Sequence, residues 1–388
     1  MKPGLLLIGH TYAALENRKK LQALAAHFDL VCVTSTIEQR TILGRPSSDF
    51  DNDSDAPSRS YQLIRLPRLG KTDTTFRYTG LAAVMRSRRF DVILVENEPW
   101  ALVCWQTRLW KSLFQRDALF GEFTWENVER PGWKGLVLAQ IYRCMTLTTN
   151  FIIAGNHTAA QLVQKRGARA SNVHIAPQLG VDLTNHIPAN ADERIALRKQ
   201  LGLPSQGTIV GYCGRFADEK GISELVTVCA RRKDVHLAML GSGPRLEWLK
   251  TLDESRPWFH LLSPRPHWEI PDFLRCLDLF VLASKPVRTF KTCWEEQFGH
   301  VLIEAMACGV ATLGSNSGAI PEVIGTPEAI FRHADLESLD AVLERFRSNE
   351  RARGDLVTRQ LARTRQLYTH DAVAASWAAF IQQQLSRP

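Results

Sequence analysis

The chain has 388 residues, 45% of them hydrophobic, and a net charge of +8, enough material for two ordinary globular domains. No run approaches the roughly 18 apolar residues of a membrane span, and the eight cysteines are scattered without a CxxC pair, which excludes a spanning or disulfide-built protein and points to reducing, cytoplasmic surroundings. Residues 1–190 carry 23 lysines and arginines against 16 aspartates and glutamates, while the rest is nearly neutral; an acidic partner is expected for the first half, and the lack of zinc-finger, P-loop or RNA-module patterns argues against nucleic acid.

The opening MKPGLLLIGH is too short and too weakly charged for a signal peptide, and Gly4–Gly9 reads as a first buried strand. His10, Thr11 and Tyr12 follow where a parallel strand ends, the place where α/β sheets gather ligands. From Leu15 a helix is expected, with Leu21, Leu24 and Ala25 as its apolar stripe and Arg18, Lys19 and Lys20 as a basic face. Leu30–Thr34 is the second strand, so the chain starts as βαβ without a glycine-rich fingerprint. Residues 45–60 read as an exposed loop; the alternating Asp51, Asp53 and Asp55 lack the glycine and distal glutamate of a calcium loop, and no metal is assigned to them.

Arg77–Arg89 combines Leu81, Val84 and Met85 with a second basic cluster, Arg86, Arg88 and Arg89. The strand Asp91–Glu96 opens into Asn97-Glu98-Pro99-Trp100, which marks Glu98 as a strand-end ligand candidate and the proline as a helix start. Trp100, Trp105 and Trp110 recur every five residues and so do not share one helical face. Ala118–Phe123 leads to Thr124-Trp125-Glu126-Asn127 and a basic turn at Gly132–Gly135; Thr148–Ala154 is a strand, His157–Lys165 a helix and Val173–Pro177 a strand.

A new sheet starts at Thr208–Tyr212 and opens into Gly214-Arg215-Phe216-Ala217-Asp218-Glu219-Lys220-Gly221. A glycine leaves the strand, an arginine follows, and a lysine stands at the next helix start; both cations can reach one phosphate pair, Arg215 as a fork and Lys220 as a point charge. Val235–Leu240 ends at Gly241 in a small-residue turn suited to a nucleotide crevice. Phe259–Leu262 is a strand, Ile270–Leu277 a helix and Asp278–Ala283 a strand. In Thr292–Gly325 a polar loop runs into a short apolar helix stopped by Gly309, then a strand, a Ser/Asn/Gly turn and a proline. Glu296 lies before that helix and Glu304 inside it, and between them Phe298 and Gly299 place backbone N–H groups where an anion is welcome. Residues 336–366 read as amphipathic helix, and a last helix around Ala372–Leu385 carries Trp377 and Phe380.

The run E-Q-F-G-x-V-L-I-E-A-M-A-C-G followed by G-S-x-S-G-x-I-P-E-V-I-G, with G-R-x-x-x-x-K-G upstream, resembles the donor-binding signature of the retaining glycosyltransferases of family 4. The likeness is close over the C-terminal half and loose over the first. It implies the GT-B architecture: two facing Rossmann-like α/β domains with a cleft between them. The expected division is 1–190 for the acceptor side, 191–370 for the nucleotide-sugar side, and a terminal helix, 371–388, crossing back to the first domain. The resemblance implies that Glu296 holds sugar hydroxyls, Glu304 the ribose, the stretch at Pro264 the base, and Gly214, Arg215, Lys220 and Gly299 the diphosphate. It also places a histidine near Trp125-Glu126; this chain lacks it, so either Glu126 supplies the polar contact or the acceptor side is arranged differently, with His10, Tyr12, Glu98 and Trp125 as its candidates. The expected activity is metal-independent retaining transfer of a hexose or related sugar from a nucleoside-diphosphate sugar, without a cofactor, to a glycan, lipid-linked or small-molecule hydroxyl, with peripheral contact to the inner face of the membrane. The alternatives are a nucleotide-sugar epimerase of similar fold and a non-catalytic glycan- or nucleotide-binding protein.

Overall fold

A computed structural model describes residues 2–36, 60–70, 72–289 and 293–387, so Asp51, Asp53 and Asp55 and nearly all of the polar stretch 45–60 lie outside the described residues. The chain divides into two compact units: the chain up to Gly180 with the segment from His370 onward, and Val181–Thr289 with Trp294–Thr369.

In the first unit, β1 (Gly4–Ile8) is buried at every position, as an apolar run covered on both faces should be. It is followed by α1 (Arg18–Leu24), β2 (Asp29–Ser35), β3 (Gln62–Leu66), α2 (Leu81–Ser87), β4 (Val92–Glu96), α3 (Leu102–Phe114), β5 (Leu119–Thr124), α4 (Gly132–Thr148), β6 (Phe151–Ala154), α5 (His157–Lys165) and β7 (Val173–Ile175). The seven strands are parallel in the order β3-β2-β1-β4-β5-β6-β7. Alternation along β1 sends Leu5 and Leu7 into one core and Leu6 and Ile8 into the other.

The second unit contains α6 (Ala191–Gln200), β8 (Thr208–Arg215), α7 (Ile222–Cys229), β9 (Val235–Ser242), α8 (Leu246–Ser255), β10 (Phe259–Leu262), α9 (Ile270–Arg275), β11 (Leu279–Leu282), α10 (His300–Ala307), β12 (Ala311–Ser315), α11 (Ile320–Ile324), β13 (Ile330–Phe331), α12 (Leu336–Ser348) and α13 (Glu350–Leu367). Its six strands are parallel in the order β10-β9-β8-β11-β12-β13. In each sheet the order reverses beside the first strand, between β1 and β4 and between β8 and β11. Ligands of open α/β sheets bind outside the carboxyl ends of the strands at such a point.

Three details depart from the sequence reading. The division falls after Gly180 rather than residue 190, because the Val181 N–H donates to the Tyr368 carbonyl at 2.7 Å and ties the following stretch to the second unit. Gly132–Gly135 is not a turn but the first turn of the 17-residue α4. Helix formation near Pro99 is delayed to Leu102. The helical reading of 336–366 is met by α12 and α13, separated where the Asn349 side chain accepts from the Ala352 N–H at 2.9 Å and caps the second.

The terminal helix α14 (His370–Leu385) belongs to the first unit, packed on α1. Trp377 is fully buried there, stacked on Phe123 with ring centroids 5.5 Å apart, its indole N–H donating to the Pro177 carbonyl at 3.0 Å. Trp377→Ala is expected to lower the stability of this unit by about 3–5 kcal/mol, the usual cost of emptying such a site. Denaturant unfolding followed by Trp fluorescence and circular dichroism checks it; a loss below about 1 kcal/mol would show that α14 is dispensable to that core.

The first basic cluster is not a surface. Arg18 is buried and donates to the Tyr12 and Ala13 carbonyls at 3.0 and 2.9 Å. Lys20 is fully buried, its ammonium 3.0 Å from the Glu96 carboxylate and 3.1 Å from the centroid of the Trp377 ring. Burial pushes that ammonium down to about 8 although Glu96 pulls it back up. Only Lys19 of the three retains partial exposure, while Arg86, Arg88 and Arg89 are all exposed.

Candidate active site

The chemistry-bearing residues of the second unit lie at its switch point. β8 ends in Gly214 and Arg215, paired with Gly241 and Ser242 of β9. A 3-10 turn, Asp218–Lys220, then brings Lys220 back over the strand ends. Its ammonium donates to Glu296 Oε2 at 2.7 Å, and Ser284, just beyond β11, donates to the same oxygen at 2.6 Å. The Trp294 ring lies with its centroid 4.6 Å from that ammonium. Glu296 is buried and held by its backbone: its carbonyl accepts from the Ala319 N–H at 2.9 Å. Gly318, at φ +53°, allows this approach, since a Cβ there would stand 2.0 Å from the Glu296 carbonyl oxygen.

Gly299 caps α10 from the left-handed region at φ +74°, leaving the first N–H groups of that helix without intrahelical acceptors. Phe298 before it is buried, edge-on to Tyr368 with centroids 5.8 Å apart. One turn into α10, Glu304 is buried and accepts from His267 Nε2 at 2.9 Å, with His300 Nε2 at 3.6 Å. Burial opposes its charge, but the imidazoles of His267, His300 and His186 outweigh it and hold the carboxyl well below the usual range. Arg215 is exposed and ion-paired with Glu219, so it can turn toward an anion at small cost. Pro264 is exposed, and it is His267, three residues on, that reaches Glu304.

The site therefore contains residues that sequence reasoning passed over. Ser284 carries no motif; its signal is only its place after a buried strand. His186 approaches Glu304 from a distant stretch that no local pattern announces, whereas His267 belongs to the stretch at Pro264 expected in the site and His300 stands one turn before Glu304 on α10. Among the described residues no group of three or more His, Cys, Asp or Glu side chains could hold a metal ion.

In the first unit, His10 is largely buried, edge-on to Phe76 at 5.8 Å, and burial lowers its basicity. Tyr12, expected on the acceptor side, is fully buried and donates its hydroxyl to Glu96 Oε1 at 2.6 Å. Gln178 links that carboxylate, at 2.8 Å, to the Trp125 indole N–H, at 3.0 Å. Glu98 accepts from the Thr124 hydroxyl and, at 3.0 Å, from the Trp125 N–H. Glu126 accepts from the Trp100 indole at 3.0 Å and faces Arg130 at 3.6 Å. Two carboxyls thus share the ends of β4 and β5, and burial, then the Glu126 carboxylate, raises the Glu98 carboxyl well above its usual range.

A carboxyl raised on folding binds more protons than its unfolded counterpart between the ordinary value, about 4.3, and the raised one, so stability falls as pH rises through that window. Glu98→Gln keeps the acceptor for Thr124 and is expected to flatten part of that fall between pH 5 and 8. The rest belongs to buried Glu122, pushed up to about 7 by burial. Thermal melts at the two pH values check it: an unchanged slope in the variant would mean that Glu98 ionises freely.

The family described as "Glycosyl transferases group 1" matches residues 193–361. The GDP-mannose-dependent monoacylated alpha-(1-6)-phosphatidylinositol monomannoside mannosyltransferase of Corynebacterium glutamicum is 30% identical over 294 residues, 73% of this chain and 74% of that protein. The chain belongs to glycosyltransferase family 4. The D-inositol 3-phosphate glycosyltransferase of Mycobacterium tuberculosis is similar to this glycosyltransferase at 26% identity over 58% of the chain, which spans 48% of that relative. The fold is GT-B. Sucrose-phosphate synthase of Thermosynechococcus elongatus superposes with a TM-score of 0.75 at 19% identity, over 98% of this chain and 99% of the other. Anabaena HepE, solved with UDP and glucose, superposes with a TM-score of 0.70 at 14% identity, over 98% and 99%.

Proposed function

We propose that this glycosyltransferase moves a hexose or related sugar, with retention, from a nucleoside-diphosphate sugar to a hydroxyl of a lipid-linked or other anionic glycan acceptor, working in the cytoplasm at the inner face of a membrane. The observation that carries the reading is the Lys220–Glu296–Ser284 cluster at the switch point of the second unit. The relative that acts on a phosphatidylinositol mannoside supports the acceptor class, and the neighbour solved with UDP supports the donor class.

Lys220 now neutralises Glu296. When a diphosphate enters, the ammonium turns to it, and the Glu296 oxygen it leaves accepts a sugar hydroxyl beside that of Ser284. Donor binding and sugar recognition are coupled through that exchange. Arg215, the Gly214 turn and the Gly299 end of α10 add further donors to the diphosphate, and charge building on the leaving group is stabilised there. Glu304, ionised across the neutral range, accepts from the ribose hydroxyls, and Gly241 and the Pro264 stretch border the base. The departing phosphate oxygen takes the acceptor proton, so attack and departure share one face of the sugar. Glu126 and Glu98 orient the acceptor, and His10 and Trp125 complete that side.

Calorimetric titration with UDP, GDP and ADP, followed by product analysis with nucleotide sugar and lipid-linked acceptor, tests the proposal. One diphosphate is expected to bind and its sugar to be transferred. Conversion of the nucleotide sugar alone into an isomer, or binding of none of the three, would overturn it. With the diphosphate charge met by Arg215 and Lys220, activity is expected to survive EDTA. Loss on chelation with recovery on adding magnesium or manganese would contradict that expectation.

A further inference from the structure

α3 and α4 cover the same face of the first unit's sheet. Val103 and Cys104 of α3 and Met145 of α4 share a core with Phe120 of β5, and the guanidinium of Arg108, midway along α3, donates to the carbonyl of Thr148 at the end of α4 at 2.6 Å. Their outward sides are apolar instead of polar. Leu109 and Leu113 of α3 and Trp133, Leu136, Val137 and Ile141 of α4 are all exposed, Trp133 and Leu136 to about 70%. The spacings follow one stripe on each helix, and the two stripes together expose more apolar surface than scattered single leucines would.

The charge on these helices has one sign. Neither contains an aspartate or glutamate, and Arg108, Lys111, Lys134 and Arg143 flank the apolar stripes. Arg86 of α2 extends the basic rim, its guanidinium 5.3 Å from the Phe114 ring centroid of α3. Of the acids in the flanking loops, Glu129 is paired with Lys165 at 2.8 Å. A second copy of this chain is a poor occupant: a two-fold contact would set Lys134 and Arg143 against their own kind with no acid on either helix to neutralise them. No described helix is long and apolar enough to cross a membrane. Apolar side chains rimmed by cations, with Trp133 at the edge, are what an anionic lipid surface accepts in its headgroup layer.

We propose that the outward face of α3 and α4 is an interfacial docking surface for an anionic lipid bilayer. It deepens the membrane contact of the proposed function and rests on that reading for its setting, but binding to vesicles needs neither donor nor acceptor.

The test floats the full chain with vesicles of equimolar phosphatidylglycerol and phosphatidylcholine, and with phosphatidylcholine alone, at low and at physiological salt. Binding to the anionic vesicles is expected to exceed that to the neutral ones by more than tenfold at low salt, at roughly fivefold per cation near the surface, and to weaken with salt. The double variants Leu136→Ser/Val137→Ser and Lys134→Glu/Arg143→Glu alter only exposed side chains. Each is expected to reduce flotation at least tenfold while leaving circular dichroism and nucleoside-diphosphate affinity unchanged. Equal flotation with both vesicle types, no flotation at low salt, or flotation untouched by both variants overturns the proposal. So does a dimer in light scattering that Leu136→Ser/Val137→Ser dissociates, which would assign the face to a second copy. Loss of nucleotide binding in the parent chain would instead strike the proposed function and leave the docking result standing.

Discussion

Lys220→Ala is expected to lower turnover about 100- to 1,000-fold, the usual cost of removing one preorganised charge donor from a developing anion. The structure adds a second consequence. Glu296 Oε2 accepts from both Lys220 and Ser284, so the variant removes the cation from that oxygen and keeps the neutral hydroxyl donor. The carboxylate loses the contact that orients it, and the sugar hydroxyls meet a misplaced acceptor. Donor KM is therefore expected to rise together with the fall in kcat, whereas Ser284→Ala, which keeps the cation, changes mainly KM. Steady-state kinetics on both variants, with thermal melts to confirm folding, separates the two. A Lys220→Ala enzyme within threefold of the parent would remove the cation from the reaction.

Glu304→Ala is expected to weaken nucleoside-diphosphate binding roughly 10- to 100-fold, as charge-assisted hydrogen bonds to the ribose are lost. Glu304→Gln keeps the shape and one acceptor and should fall between parent and alanine. Burial disfavours the Glu304 charge, but His267 and its neighbouring imidazoles hold the carboxyl well below the ordinary range. The sign follows: a depressed folded value contributes stability above about pH 4.3, lost as pH falls further, so the carboxylate is available for ribose through the whole range from mildly acid to neutral. Calorimetry at pH 6 and pH 8 should give similar Glu304-dependent affinity differences. Unchanged affinity in Glu304→Ala would exclude the residue from the nucleotide site.

Where local chain chemistry is sufficient, sequence and structure agree. His157–Lys165 is a helix between the same residues in both, because the Asn156 side chain caps it at the Ala159 N–H and its apolar side is regular. The motif around α10 is legible for a similar reason: Gly299, Glu304, Gly309 and Gly318 belong to one loop–helix–strand–turn, whose spacing alone places Glu296 just before α10 and Glu304 within it. The helix α4 was not legible, because glycines at 132 and 135 and a basic tryptophan turn look like a loop. Its outward apolar side also blurs the period that marks a helix packed on a core.

The sequence by itself determined the βα alternation and the GT-B class, and it placed Glu296 and Glu304 together in one motif, since each rests on residues close together in the chain. Only the tertiary structure decided which charges are buried and which face solvent. Lys20 looks like a surface lysine from its neighbours, and its burial is tolerable because Glu96, 76 residues away, meets the ammonium. His267 becomes a partner of Glu304 across 37 residues. The desolvation cost of a charge depends on what packs against it, and those groups arrive from distant strands whose order is set by the folding of the sheet.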